Sequence, residues 1–147
     1  MLIGRGLKDG YLIKQELREI IGDGLNTLAL DGMRLLIIIP DSTRTMPMSI
    51  LFEIFVEQLQ HRVKKMDFLV ALGTHQPLND YQLSRMAGKQ VVNGKFGNIQ
   101  IFNLEWHKPG TFIHIGTISA KEIELITKSL LNHEVPVHVR KLILNYD

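Results

Sequence analysis

The chain has 147 residues, 45% of them apolar and 22% charged, with seventeen Lys and Arg against fifteen Asp and Glu for a net charge of +2. This length supports a single compact domain over residues 1–147 whose core needs no disulfide or structural metal, and the lack of Cys excludes thiolate zinc sites and cysteine nucleophiles. A two-charge excess is too small to imply nucleic acid or an acidic membrane surface as a partner, and the longest apolar run, Leu35 to Ile39, is far shorter than a membrane span.

Met1-Leu2-Ile3-Gly4-Arg5 shows no basic segment followed by an apolar stretch of signal-peptide length, so a cytoplasmic location is the expectation. From Asp9 to Ile21, the apolar residues Ile13, Leu17, Ile20 and Ile21 recur at helical spacing, and Gly22 and Gly24 are expected to interrupt that helix. Met33 to Ile39, a continuous apolar run between Asp31-Gly32 and Pro40, predicts a strand covered on both faces. Pro47 suits the first turn of a helix on which Leu51, Ile54, Phe55 and Leu59 share a face. Asp67 to Leu72 predicts a second buried strand and Gly73 to Leu78 a turn. Asn79 to Ala87 then predicts a helix opened by an Asn-x-x-Gln capping pattern and closed by Gly88. Further on, Ile99 to Leu104 and Phe112 to Ile115 predict strands, Lys121 to Leu131 a helix, and Val135 to Val139 another extended segment.

Strands alternating with amphipathic helices predict an α/β domain: a mainly parallel, Rossmann-like sheet flanked by helices, with an incomplete sheet at the C-terminus left open. In such sheets ligands gather in the crevice at the carboxyl ends of the strands. Two predicted strand ends carry polar clusters. Pro40-Asp41-Ser42-Thr43-Arg44-Thr45-Met46-Pro47 places a carboxylate, three hydroxyls and a guanidinium before a helix, where Arg44 can hold an anion bidentately and Asp41 can bond sugar hydroxyls or orient Arg44. Leu72-Gly73-Thr74-His75-Gln76-Pro77-Leu78 offers a glycine suited to a close or positive-φ turn, a hydroxyl, and an imidazole just ahead of a helix N-terminus, whose positive end favours the neutral base. Each cluster taken alone also reads as plain helix capping, an Arg44–Asp41 pair, or a histidine satisfied in a turn. If the two strands are parallel neighbours, His75 and Arg44 are placed to face a common small molecule.

The remaining histidines carry less. His61 lies at a helix end among Arg62, Lys64 and Lys65; His107 follows Trp106 in a loop; His114 alternates with apolar neighbours on a strand; His133 and His138 lack the spacing of a helical two-histidine metal site. No metal-ligand cluster is assigned. Gly4-Arg5-Gly6 forms neither a dinucleotide fingerprint nor a Walker lysine loop.

Ile39-Pro40-Asp41-Ser42-Thr43-Arg44 after one strand and Leu72-Gly73-Thr74-His75 with Pro77 after the next together resemble the N-terminal part of the lactate racemase family. Ile115-Gly116-Thr117 and Pro136-Val137-His138-Val139-Arg140-Lys141-Leu142 are similar to that family's course toward its central glycine-rich region, so the resemblance covers most of the chain from about Gly32. It implies an isomerase that inverts the carbinol carbon of a 2-hydroxy acid, with a nickel-pincer nucleotide as hydride acceptor. It makes His75 one of two acid/base histidines. Asp41, Thr43, Arg44, Gly73 and Thr74 are carried over as cofactor contacts, with Arg44 as the anion holder. The family's second histidine, tethering lysine and nickel-ligating histidine fall beyond anything matched, and Gln76 stands where the family commonly has Arg. The resemblance therefore implies an N-terminal portion that is inactive alone, a homo-oligomer or a partner of the missing C-terminal part. A non-catalytic anion- or nucleotide-binding module, and a plain interaction module, are the alternatives.

Overall fold

The computed structural model describes residues 3–147; Met1 and Leu2, the start of the segment scanned for an export signal, lie outside the described residues. Strands β1 (Arg34–Pro40) and β2 (Lys65–Ala71) run parallel, in register from Arg34 opposite Lys65 to Pro40 opposite Ala71. Strands β3 (Lys95–Phe96) and β4 (Ile99–Asn103) complete a sheet of order β1-β2-β4-β3, in which β4 is parallel to β2 and β3 antiparallel to β4. The mainly parallel α/β reading holds. Because β1 and β2 are parallel neighbours, the segments that follow them emerge on one edge of the sheet.

Side-chain alternation decides what each face meets. Met66, Phe68 and Val70 of β2 point into the core with Ile39 of β1 and with Ile99 and Ile101 of β4. Helices α2 (Met48–Leu59) and α3 (Asp80–Ala87) cover that face with Met48, Phe52 and Leu59, and with Leu83, Met86 and Ala87. Phe52 and Phe68 are almost wholly buried with ring centroids 4.7 Å apart, and each contributes roughly 1.5–3 kcal/mol by leaving water. The other face of β2 holds Asp67, which is fully buried yet satisfied: the Gln100 N–H donates to Oδ1 at 2.8 Å, and the Tyr146 hydroxyl donates to Oδ2 at 2.5 Å. Burial and that carboxylate push the Tyr146 hydroxyl up to about 12.

Several boundaries depart from the sequence reading for physical reasons. Helix α1 runs Lys14–Asn26, through Gly22 and Gly24 rather than ending at them. A Cβ at Gly22 would lie 3.1 Å from Gln58 Oε1, and Gln58 donates to the Arg18 carbonyl at 2.8 Å, so glycine there lets α1 approach α2. Strand β1 is an edge strand, and Ile38 is 62% exposed; it is not covered on both faces as its apolar run suggests. Helix α4 is Ala120–Ile126, shorter than expected, because Thr127 Oγ1 bonds back to the Ile123 carbonyl and Lys128 and Ser129 turn left-handed at φ 53° and 65°. Strands β5 (Phe112–Ile118) and β6 (Val135–Arg140) leave the main sheet and form an antiparallel ribbon of their own. Among the described residues no helix is long and apolar enough to cross a membrane.

Candidate functional site

The loop after β1 folds back on itself because Asp41 acts as its hub. Thr43 donates to Asp41 Oδ1 twice, from its backbone N–H at 3.0 Å and its hydroxyl at 2.5 Å. The second oxygen, Oδ2, meets Nδ1 of His75, which stands in the turn after β2. That turn is made possible by Gly73 at φ 58°, a left-handed backbone that a side chain resists, and the His75 N–H closes it on the Leu72 carbonyl at 3.0 Å. The two predicted clusters thus meet through a carboxylate and an imidazole.

The pair is asymmetric. Asp41 is buried at 6% exposure whereas the His75 side chain is 55% exposed, so a fixed carboxylate lies beneath a solvent-facing ring. The Thr43 hydroxyl first and His75 second hold the Asp41 carboxyl down at about 2, against the opposing pull of burial. Asp41 is therefore an anion at neutral pH and can only accept hydrogen bonds. A neutral imidazole against it donates from Nδ1, which leaves the Nε2 lone pair free toward solvent. The group facing the ring is Asp41, whose side chain bonds Thr43 and His75 and not Arg44, and α3 begins five residues after His75, at Asp80.

Arg44 lies on the wall of an adjoining cleft of about 440 Å³, formed by the loop after β1, the start of α2 and α3. Asp41 also lines it and His75 does not, so the imidazole and the Arg44 guanidinium do not line one common hollow as the sequence reading expects; the Asp41 carboxylate bonds the ring, and only the Arg44 backbone N–H reaches the Asp41 carbonyl, at 3.3 Å. Thr74 is exposed in the turn beside His75. Asp41, Thr43 and His75 are brought together; Arg44 borders them; Gly73 and Thr74 shape the turn.

Residues 6–140 match the lactate racemase N-terminal domain family. The chain belongs to that family. The lactate racemase apoprotein from Thermoanaerobacterium thermosaccharolyticum shares the fold with a TM-score of 0.54 and 18% identity, over 95% of this chain and 27% of that one. A protein from Thermotoga maritima is similar with a TM-score of 0.74 and 21% identity, over 94% of this chain and 32% of that one. The chain thus spans about a third or less of the length of these structures. No curated protein matches it.

In this lactate racemase N-terminal domain, Asn103 at the end of β4 is a positioning residue that the sequence reading missed. Its amide bonds both the N–H and the carbonyl of Leu78 at 3.0 Å, pinning the far end of the turn that carries His75. Arg140 of β6 donates in turn to the Asn103 carbonyl, joining the ribbon to the same edge. No local pattern announces this, since Asn103 follows its partner by 25 positions and looks like an ordinary strand terminus. Arg85 and Gln82 on α3 also line the cleft and were likewise not singled out.

Proposed function

We propose that this domain supplies one acid/base group and the anion-holding loop of a lactate racemase-type isomerase acting on a 2-hydroxy acid. The observation that supports the reading most is the Asp41–His75 pair on the shared edge of β1 and β2, beside the cleft that Arg44 lines. His75 Nε2 would take the hydroxyl proton of one enantiomer as the carbinol hydrogen leaves as hydride for an acceptor that this domain does not supply, and would return the proton when that same enantiomer is re-formed. The imidazolium formed in between lies against the ionised Asp41, which also keeps the ring from turning. Arg44 holds the anionic group of substrate or cofactor.

A nickel-pincer nucleotide is the hydride acceptor that the family implies. Among the described residues no three His, Cys, Asp or Glu side chains gather as a metal site, so the residues here do not fit the metal part of that group. This domain's contribution is the hydroxyl proton and the anion. Racemisation also calls for a second acid/base group on the other face of the substrate. His61 follows α2 at the opposite end of the sheet, His114 and His138 pair with each other on the ribbon, and His107 and His133 lie in the loops after β4 and before β6, so none of these is assigned as the second group.

The test is to express the chain together with the remaining two thirds of a lactate racemase-type polypeptide and to follow each enantiomer of a 2-hydroxy acid by chiral chromatography. Interconversion that disappears in His75→Gln supports the reading, and interconversion that His75→Gln leaves unchanged contradicts it.

A further inference from the structure

Of the seven arginines in the chain, five hold acceptors within the protein: Arg5, Arg18, Arg34 and Arg62 pair with carboxylates, and Arg140 donates to the Asn103 carbonyl. Arg44 and Arg85 hold none among the described residues, and both line the same cleft of about 440 Å³. They reach it from separate elements, Arg44 from the loop after β1 and Arg85 from α3. The one carboxylate on the cleft wall, Asp41, has Oδ1 taken by Thr43 and Oδ2 by His75, so it is not spent on either guanidinium. The cleft wall thus carries two cations against the one Asp41 carboxylate, a net positive lining that favours an anion, and each guanidinium offers a planar fork that matches phosphate or carboxylate oxygens.

We propose that Arg85 is a second anion-holding residue and that the cleft takes a doubly charged phosphate group, carried as a monoester, in preference to a singly charged anion. The inference rests on the reading of the Arg44 cleft as the ligand site and adds its charge selectivity. Ser42 and Ser49 supply hydroxyls on the same wall, and Gln82 is committed to capping α3 through Asn79, so it does not compete with Arg85. A phosphate monoester has three terminal oxygens to share between two forks; a monocarboxylate has two, enough for one.

The experiment is a titration of the isotopically labelled chain, followed by the arginine side-chain N–H resonances, with methyl phosphate, inorganic phosphate and dimethyl phosphate. At about pH 8 the first two are mainly doubly charged and the third carries a single charge, at nearly the same shape. Methyl phosphate and inorganic phosphate shift both the Arg44 and Arg85 resonances, and dimethyl phosphate binds about tenfold more weakly or worse. Arg85→Gln, whose side chain is exposed and leaves the core intact, weakens methyl phosphate by about tenfold and removes the preference over dimethyl phosphate. Lys141→Gln, an equal loss of charge outside the cleft, changes nothing. If Arg44→Gln weakens binding while Arg85→Gln binds methyl phosphate like the unaltered chain, Arg85 has no such role and the Arg44 site stands. If neither the phosphates nor lactate shift the Arg44 resonance, the anion site itself is wrong and both readings fall.

Discussion

The Oδ2 atom of buried Asp41 meets Nδ1 of His75, thirty-four positions later in the chain, across the parallel ends of β1 and β2. This contact joins two loops that have no local reason to know of each other, and it turns an exposed imidazole into an oriented one.

The Thr43 hydroxyl is the largest influence holding the Asp41 carboxyl near 2, ahead of His75. In Thr43→Val the carboxyl titrates higher than in the unaltered chain, and by more than in His75→Ala, as read from its side-chain carbon resonance across an acid titration. Because the folded carboxyl lies below its ordinary value of 3.8, its contribution to stability is complete above about pH 4 and is lost as pH falls toward 2. Unfolding measured against pH loses part of that acid-side slope in Thr43→Val.

Arg44 is exposed and forms no ion pair among the described residues, so Arg44→Ala leaves the melting temperature nearly unchanged. The same change weakens anion binding by about 1.5 kcal/mol, the lower end for a charge-assisted hydrogen bond because the site is open to water. Calorimetric titration with lactate and with phosphate checks both halves.

The spacing of α2 and α3 depends on Gly88, the left-handed C-cap of α3 at φ 66°, where an added Cβ would come within 2.8 Å of Ser49 Cβ. Gly88→Ala therefore destabilises the fold by about 1–2 kcal/mol from backbone conformation, plus the cost of moving Ser49. Denaturant unfolding reads that loss, and the Arg44 and Arg85 resonances shift in the folded fraction because the cleft between the helices widens.

Asn103→Ala strips both partners from the Leu78 backbone, costing about 1–3 kcal/mol for groups left unsatisfied. Faster amide exchange through residues 72–78 accompanies that loss, while β1 and α2 keep their protection. A uniform rise in exchange across the chain would mean that Asn103 supports the fold generally and not the His75 turn.

What was legible in the sequence followed from local physics. The α3 cap was readable because Asn79 and Gln82 exchange hydrogen bonds three residues apart, and β2 because a central strand buried on both faces is largely apolar, Asp67 excepted. The run that became β1 looks the same as a central strand, yet an edge position leaves Ile38 exposed, and only the strand order reveals that. Gly22 was misread because its reason is Gln58 on another helix. Asp41, Arg44 and His75 stood out as polar groups at strand ends, but the partnership of Asp41 with His75 instead of Arg44 needed the register of β1 against β2. Asn103 and Arg85 enter from elements too distant for any motif to include them.

The most direct measurement is the nitrogen spectrum of the His75 imidazole at neutral pH, compared between the unaltered chain and Asp41→Asn. An acid/base histidine oriented by Asp41 shows its proton on Nδ1 and a free lone pair on Nε2, and that preference is lost in Asp41→Asn. A ring protonated on Nε2, or a spectrum that Asp41→Asn leaves as it was, would contradict the role given to the pair.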